Sequence, residues 1–221
     1  GDDPDALGHT WDYAYRDPVA HVHLGFFGFG EMRTWDRTPE HPVETIATYD
    51  LRTADASGRF HPGVGVPASV TVAQPILQPG EGQPAGATAR LTRTTIAREL
   101  RAFNGGATHA VLATAAHSSQ WEQPVAIAWS GAGPDHLHVS GYAEPASPTI
   151  RVDTQREYDD FGQVTDAVTQ TAKGLRTEVK TARINDTVNW HLGLVGKRDV
   201  GTLESAKGAV AVWQTTGYTY T

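Results

Sequence analysis

The chain has 221 residues, a formal net charge of −7 and no cysteine. The acidic balance opposes binding to a phosphate backbone, which calls for clustered Lys and Arg. The lack of cysteine excludes disulfides, a thiolate nucleophile and Cys-ligated zinc within these residues. Hydrophobic residues at 39% and charged residues at 19% fit a folded chain better than a disordered one. A chain of this length buries about 70% of the surface its unfolded form exposes, enough for a sizeable core. No apolar run reaches the roughly 18 residues that a membrane-spanning helix needs.

The first nine residues are polar and read as a loose lead-in. Trp11-Asp-Tyr13-Ala-Tyr15 alternates aromatic with small or polar residues, the pattern of an edge or half-buried strand. After an Asp17-Pro18 turn, Val19–Trp35 reads as a long strand or a bent pair, with Val22, Leu24, Phe26 and Met32 on one face. Gly25, Gly28 and Gly30 mark bulges or bends within it. Val43–Tyr49 is the next strand, and Ser69–Ile76 interrupts a stretch rich in turns. Gly80–Gly86 reads as an exposed loop.

Ala87–Phe103 admits two readings. Ile96, Leu100 and Phe103 have helical spacing, with Asn104-Gly105-Gly106 as a stop. The approach through Leu91-Thr-Arg-Thr-Thr and the surrounding strands favour a strand and a Gly-Gly hairpin into Thr108–Ala115. Pro124–Trp129, His136–Tyr142 and Pro148–Tyr158 follow as strands. Asp159, Asp160 and Gly162 supply turn chemistry, since Asp bonds its own backbone locally and Gly accepts φ > 0. The polar stretch Asp166–Ile184 is split by Gly174 into two strands of a hairpin, and Ala209–Trp213 with Tyr218-Thr-Tyr220 closes the chain. Many strands at short spacing, with no convincing helix, predict an all-β fold: an antiparallel, hairpin-rich sheet.

Tyr158-Asp159-Asp160-Phe161-Gly162-Gln163-Val164-Thr165 resembles the YD repeat of Rhs proteins, teneurins and insecticidal toxin complexes. Asn185-Asp-Thr-Val-Asn-Trp190-His191-Leu192-Gly193 is similar to the Trp-Leu-Leu-Gly element that follows such a repeat in the B component of those complexes. Upstream, Tyr13-Ala-Tyr15 and Leu24-Gly25-Phe26-Phe27-Gly28-Phe29 resemble that family's Tyr-x-Tyr and Gly-Phe-Leu-Gly-Phe segment, with Thr48-Tyr49-Asp50 following. The chain departs from it at His21-Val22-His23-Leu24, where the family has Arg-Gly or similar.

The resemblance implies a sheet of YD-repeat (Rhs shell) type, secreted, a segment of a larger protein that encloses a cargo. Its partners would be other segments or subunits of a toxin complex, with no cofactor. The structural roles would fall to Tyr158, Asp159, Phe161, Gly162, Trp190, Leu192 and Gly193, and to Gly25, Phe26, Gly28 and Phe29. Phe26, Phe27 and Phe29 would fill the wall. Three regions follow: 1–60 with the Gly-Phe segment, 61–150 with Pro/Gly loops, and 151–221 with the YD-like hairpins.

Two other function classes stay open. On a strand, residues i and i+2 face the same way, so His21/His23 and His136/His138 are candidate ligands of one metal, with His109 or His117 completing it. That would make a metal-dependent β-fold enzyme. Trp11, Tyr13 and Tyr15 are candidate sugar-stacking residues of a carbohydrate-binding β-sandwich, although such residues more often form cross-strand core pairs. Gly-x-Ser-x-Gly does not occur, and Gly25–Gly30 fails the dinucleotide spacing. Asp159 and Asp160 are better explained as turn formers than as a catalytic carboxylate pair.

Overall fold

The computed structural model describes residues 11–36, 43–55, 57–76, 87–103, 106, 108–130, 136–187, 191–204 and 212–220. The side chains of 129, 130, 136, 137, 191, 192, 203 and 204 lie outside that description. Thirteen strands are described: β1 (Trp11–His21), β2 (Gly25–Asp36), β3 (Val43–Thr48), β4 (Ser69–Ile76), β5 (Thr88–Phe103), β6 (Thr108–Pro124), β7 (Ala126–Ser130), β8 (His136–Ser140), β9 (Ile150–Tyr158), β10 (Val164–Thr171), β11 (Leu175–Asp186), β12 (His191–Glu204) and β13 (Val212–Gly217). Eleven form one sheet in the order β1-β2-β3-β4-β5-β6-β9-β10-β11-β12-β13, and β7-β8 form a two-stranded ribbon. The protein is all-β, and every pairing with a described register is antiparallel. Within Ala87–Phe103 the strand reading holds, over Thr88–Phe103: β-branched Thr and Ile on a pleated ladder outweigh the short helical spacing.

The chain divides into two compact units, Gly1–Thr95 with Ser119–Thr149, and Ile96–Ser118 with Ile150–Thr221. The first holds the main apolar cluster. Ala73, Ala89, Leu91, Trp121, Val125 and Val139 are buried together, with Ile127 and Tyr142 against them. Leu91 is fully buried, which contributes on the order of 2 kcal/mol of transfer free energy. In β4 the buried face is Ser69, Thr71, Ala73 and Pro75, while Val70 and Val72 are only half-buried. Ala73 packs in the cluster that holds Trp121, and Ser69 keeps its hydroxyl satisfied on Thr48 Oγ1 at 2.7 Å.

Of the two readings of Val19–Trp35, a long strand or a bent pair, the structure shows parts of two strands, with Val19–His21 belonging to β1. The chain reverses at Val22–Leu24, so Val22 and Leu24 are exposed in a turn and share no core face with Met32. Nor does Asp17-Pro18 end a strand. β1 runs through it, with Asp17 at φ +52° and Pro18 opposite Phe29. Proline is tolerated because β1 stands at the end of the sheet, where a missing N–H breaks no ladder. The expected bulge near Gly28 is present. Val19 opposes Gly28 and Ala20 opposes Phe26, leaving Phe27 as the extra residue. Phe26, expected to fill the wall, is 62% exposed in this chain. Trp11, Tyr13 and Tyr15 are also about half-exposed and are not core pairs.

A buried carboxylate joins the ribbon to the sheet within this unit. Glu44 on β3 is completely buried. It accepts from Arg33 Nη1 and His138 Nδ1, both at 3.1 Å, and from the Val139 backbone N–H at 2.9 Å. Burial opposes the charge on Arg33, but Glu31 and then Glu44 outweigh it and raise the guanidinium pKa. Burial, and then the Glu44 charge, push the Tyr142 phenol up and keep it neutral. The Trp35 ring meets His138 edge-on at 5.6 Å.

Breaking a buried pair leaves its partner's charge stranded. Glu44→Ala is therefore expected to destabilise the protein by about 3 kcal/mol in chemical denaturation. The double replacement Glu44→Leu/Arg33→Leu should recover part of that loss. A cost under about 1 kcal/mol for the single change would show that the carboxylate does not hold the ribbon.

Candidate functional site

The Tyr158–Gly162 turn sits in the second unit and is built by its own side chains. Asp159 Oδ1 accepts from the backbone N–H of Phe161 and of Gln163, each at 2.9 Å. Asp159 N–H donates to Gln163 O at 2.9 Å, and Gly162 N–H donates to Asp159 O at 3.1 Å. Gly162 has φ +75°, the left-handed conformation the turn requires. A Cβ there would meet Phe103 Cζ at 3.3 Å. Tyr158 anchors the approach: its hydroxyl donates to Ala113 O at 2.7 Å. Arg101 donates to Tyr158 O at 3.1 Å, its guanidinium 5.9 Å from the Tyr158 ring centre.

The second stretch of the resemblance lies against this turn. Asn185 Nδ2 donates to Asp159 Oδ2 at 3.2 Å, and Asn185 Oδ1 accepts from Gly193 N–H at 2.8 Å. Arg183 closes the loop by donating to Gly193 O at 2.9 Å and Val164 O at 3.3 Å. Gly193 has φ +81°, and a Cβ there would lie 2.6 Å from Gln163 Nε2. Asp159, Asn185 and Gly193 therefore form one polar lock between successive hairpins. Asp159 is a turn former, as expected, and Phe161 is exposed on the turn. Trp190 lies outside the described residues, as does the side chain of Leu192.

Sequence reasoning missed β12. Its glycines hide the strand, yet each admits a neighbour: a Cβ at Gly196 would meet Ile184 at 3.1 Å, and one at Gly201 the Trp213 ring at 2.9 Å. Three glycines in one strand look like loop, and only the facing bulky residues identify them as strand.

The His-x-His pairs, held open as an alternative metal site, have separate surroundings. His21 closes β1 while His23 lies in the following turn, so the pair does not share a strand face. His138 is held by Glu44, and the side chain of His136 lies outside the described residues. In the second unit His117 Nδ1 bonds Asp153 Oδ1. Among the described residues no three His, Asp or Glu side chains converge on one ion-sized point.

Beside β1, Tyr15, Phe27, Phe29, Met32, Tyr49 and Leu51 line an open apolar cleft of about 170 Å³, with Gly28 and Gly65 in its wall. Tyr15 and Phe29 are 4.8 Å apart, ring centre to ring centre. No helix is long and apolar enough to cross a membrane among the described residues.

No family model matches the chain, and no curated protein or solved structure does so either. The likeness to YD-repeat proteins therefore rests on the residues that carry it.

Two outcomes test this geometry. Gly162→Val is expected to destabilise by about 1–3 kcal/mol, because a β-branched residue resists φ > 0 and meets Phe103. An unchanged melting temperature would mean the turn carries no such demand. The second concerns Asp166 on β10, whose Oδ1 is buried without a partner. Burial, and then the neighbouring Glu178 and Glu157 charges, raise its pKa. A carboxyl raised in the folded state favours folding at low pH and opposes it as pH rises through the folded pKa. Asp166→Asn should thus be more stable than the parent at pH 7, with the gain fading on acidification. A gain independent of pH would remove the electrostatic account.

Proposed function

We propose that the chain is a structural, encapsulating segment of a secreted YD-repeat toxin-complex-like protein, working through β-strand association and not through catalysis. The carrying observation is the sheet's own growth rule. Strands follow one another in chain order across the sheet, apart from the β7–β8 ribbon set between β6 and β9, and the order ends in β1 and β13. Both end strands carry exposed strand-favouring residues: Trp11, Tyr13 and Tyr15 on β1, Val212 and Trp213 on β13. An uncovered end strand presents backbone N–H and C=O groups ready to pair with another strand. The lock between Asp159, Asn185 and Gly193 supports the same reading, because it joins two of the three motif stretches on which the family resemblance rests. In this role Tyr158, Asp159 and Gly162 fix the hairpin, and the partners are further strands of the same assembly.

A metal-dependent enzyme is less well supported, since His21 and His138 have different neighbours. The exposed alternate aromatics of β1, next to the apolar cleft, favour carbohydrate stacking as the second reading.

Sedimentation combined with amide exchange tests the proposal. The expected result is self-association, or slow exchange at β1 and β13 in the presence of a partner strand. Tyr13→Lys, at an exposed side chain, should weaken association without lowering stability. A clean monomer with fast exchange along both end strands would refute the proposal by showing tolerated open edges. Slow exchange in a monomer would point to an independent closed domain.

A further inference from the structure

A third histidine, which no strand periodicity marks, joins the first pair. His61 lies in the loop between β3 and β4, folded against the Gly-Phe segment of β2. Its ring is 4.5 Å from Phe27 and 5.9 Å from His21, centre to centre. His23 lies 5.8 Å from His21. The Nδ1 of His61 faces the carbonyl of Leu51 at 3.1 Å. A carbonyl only accepts, so Nδ1 carries the proton and Nε2 is left with its lone pair free. That Nε2 is buried and has no partner.

A buried acceptor without a partner is costly and calls for an explanation, a bound ion being one. The bond from one ring nitrogen to a backbone carbonyl, with the other nitrogen left bare, is how proteins orient a histidine toward a metal. With Zn–N bonds of about 2.0–2.1 Å and tetrahedral angles, two imidazoles on one ion have centres roughly 5 Å apart. The separations of His21 from His61 and from His23 are slightly wider than that. His21 is lightly held: its ring lies parallel to that of Phe27 at 5.9 Å, and the hydrogen bond it accepts from the His23 backbone N–H is long and exposed at 3.2 Å. His23 is exposed in the Val22–Leu24 turn, so swinging its ring inward disturbs no ladder.

We infer that His61, His21 and His23 form a site for one borderline divalent transition metal, such as zinc or nickel, closed by the inward rotation of His23. The bound ion would fasten the loop that carries His61 to the hairpin between β1 and β2. Neutral imidazoles in this number suit such ions and not calcium or magnesium, which take oxygen ligands. His136 and His138 take no part in it.

The test is equilibrium dialysis of the tag-free chain against zinc chloride and, separately, nickel chloride, with amide exchange read on residues 49–65. The expected result is one ion per chain and slower exchange in that loop. His61→Gln and His23→Ala should each weaken binding about tenfold or more, a loss of the size seen at metal sites when a supporting group is removed. His138→Gln should leave binding unchanged. His23 is exposed, so its variant keeps the test valid if His61→Gln fails to fold. No binding, binding that survives His23→Ala, or binding lost in His138→Gln would each overturn the site.

Discussion

In a protein made almost wholly of strands, every backbone N–H and C=O must find its partner on a neighbouring strand, and that obligation shapes this molecule. A helix satisfies its own backbone. A strand cannot, so each hairpin here depends on the one before it and prepares an edge for the one after. Turns then become the points of decision. They set the register, and a slip of one residue would turn every side chain to the wrong face. This is why side-chain bonding is so dense at Asp159, where one carboxylate fixes both the turn and its link to the next hairpin.

The apolar core is modest beside this ladder, and polar groups do part of the joining. Glu44 is the clearest case. Three donors surround a carboxylate with no access to solvent, one of them a backbone N–H of the ribbon. Such an arrangement adds less stability than an apolar contact of equal size, yet it accepts only one placement of the ribbon. Asp159 and Asn185 act similarly in the second unit. In both places the geometry is specified by hydrogen bonds whose partners are far apart in sequence.

How much of this was legible in the sequence depends on where the information lies. β4 and the β10–β11 hairpin could be read from alternation and from Gly174, because those signals are local. The turn at Asp159–Gly162 could be read because Asp and Gly carry their turn chemistry with them. The reversal at Val22–Leu24 could not, since His-Val-His-Leu has strand propensity and only the pairing of β1 with β2 breaks it. β12 was invisible for the opposite reason: its glycines look like loop until Ile184 and Trp213 are seen opposite them. His61 gave no periodic signal, since loop contacts have no period. The buried face of β4 ran against hydropathy: Ser69, Thr71 and Ala73 are buried while Val70 and Val72 are half-buried.

The break in β1 also works as a ruler. Asp17 turns the backbone into the left-handed region and Pro18 lacks an N–H, so among the described residues the straight part of that edge is Trp11–Arg16. A strand laid beside it would find about six residues, or roughly 20 Å of continuous ladder, before the edge bends away. A short strand would fit along this stretch, while a longer one would have to bend with the edge or leave its tail unpaired, so that geometry, and not charge, limits how far pairing could run past Arg16.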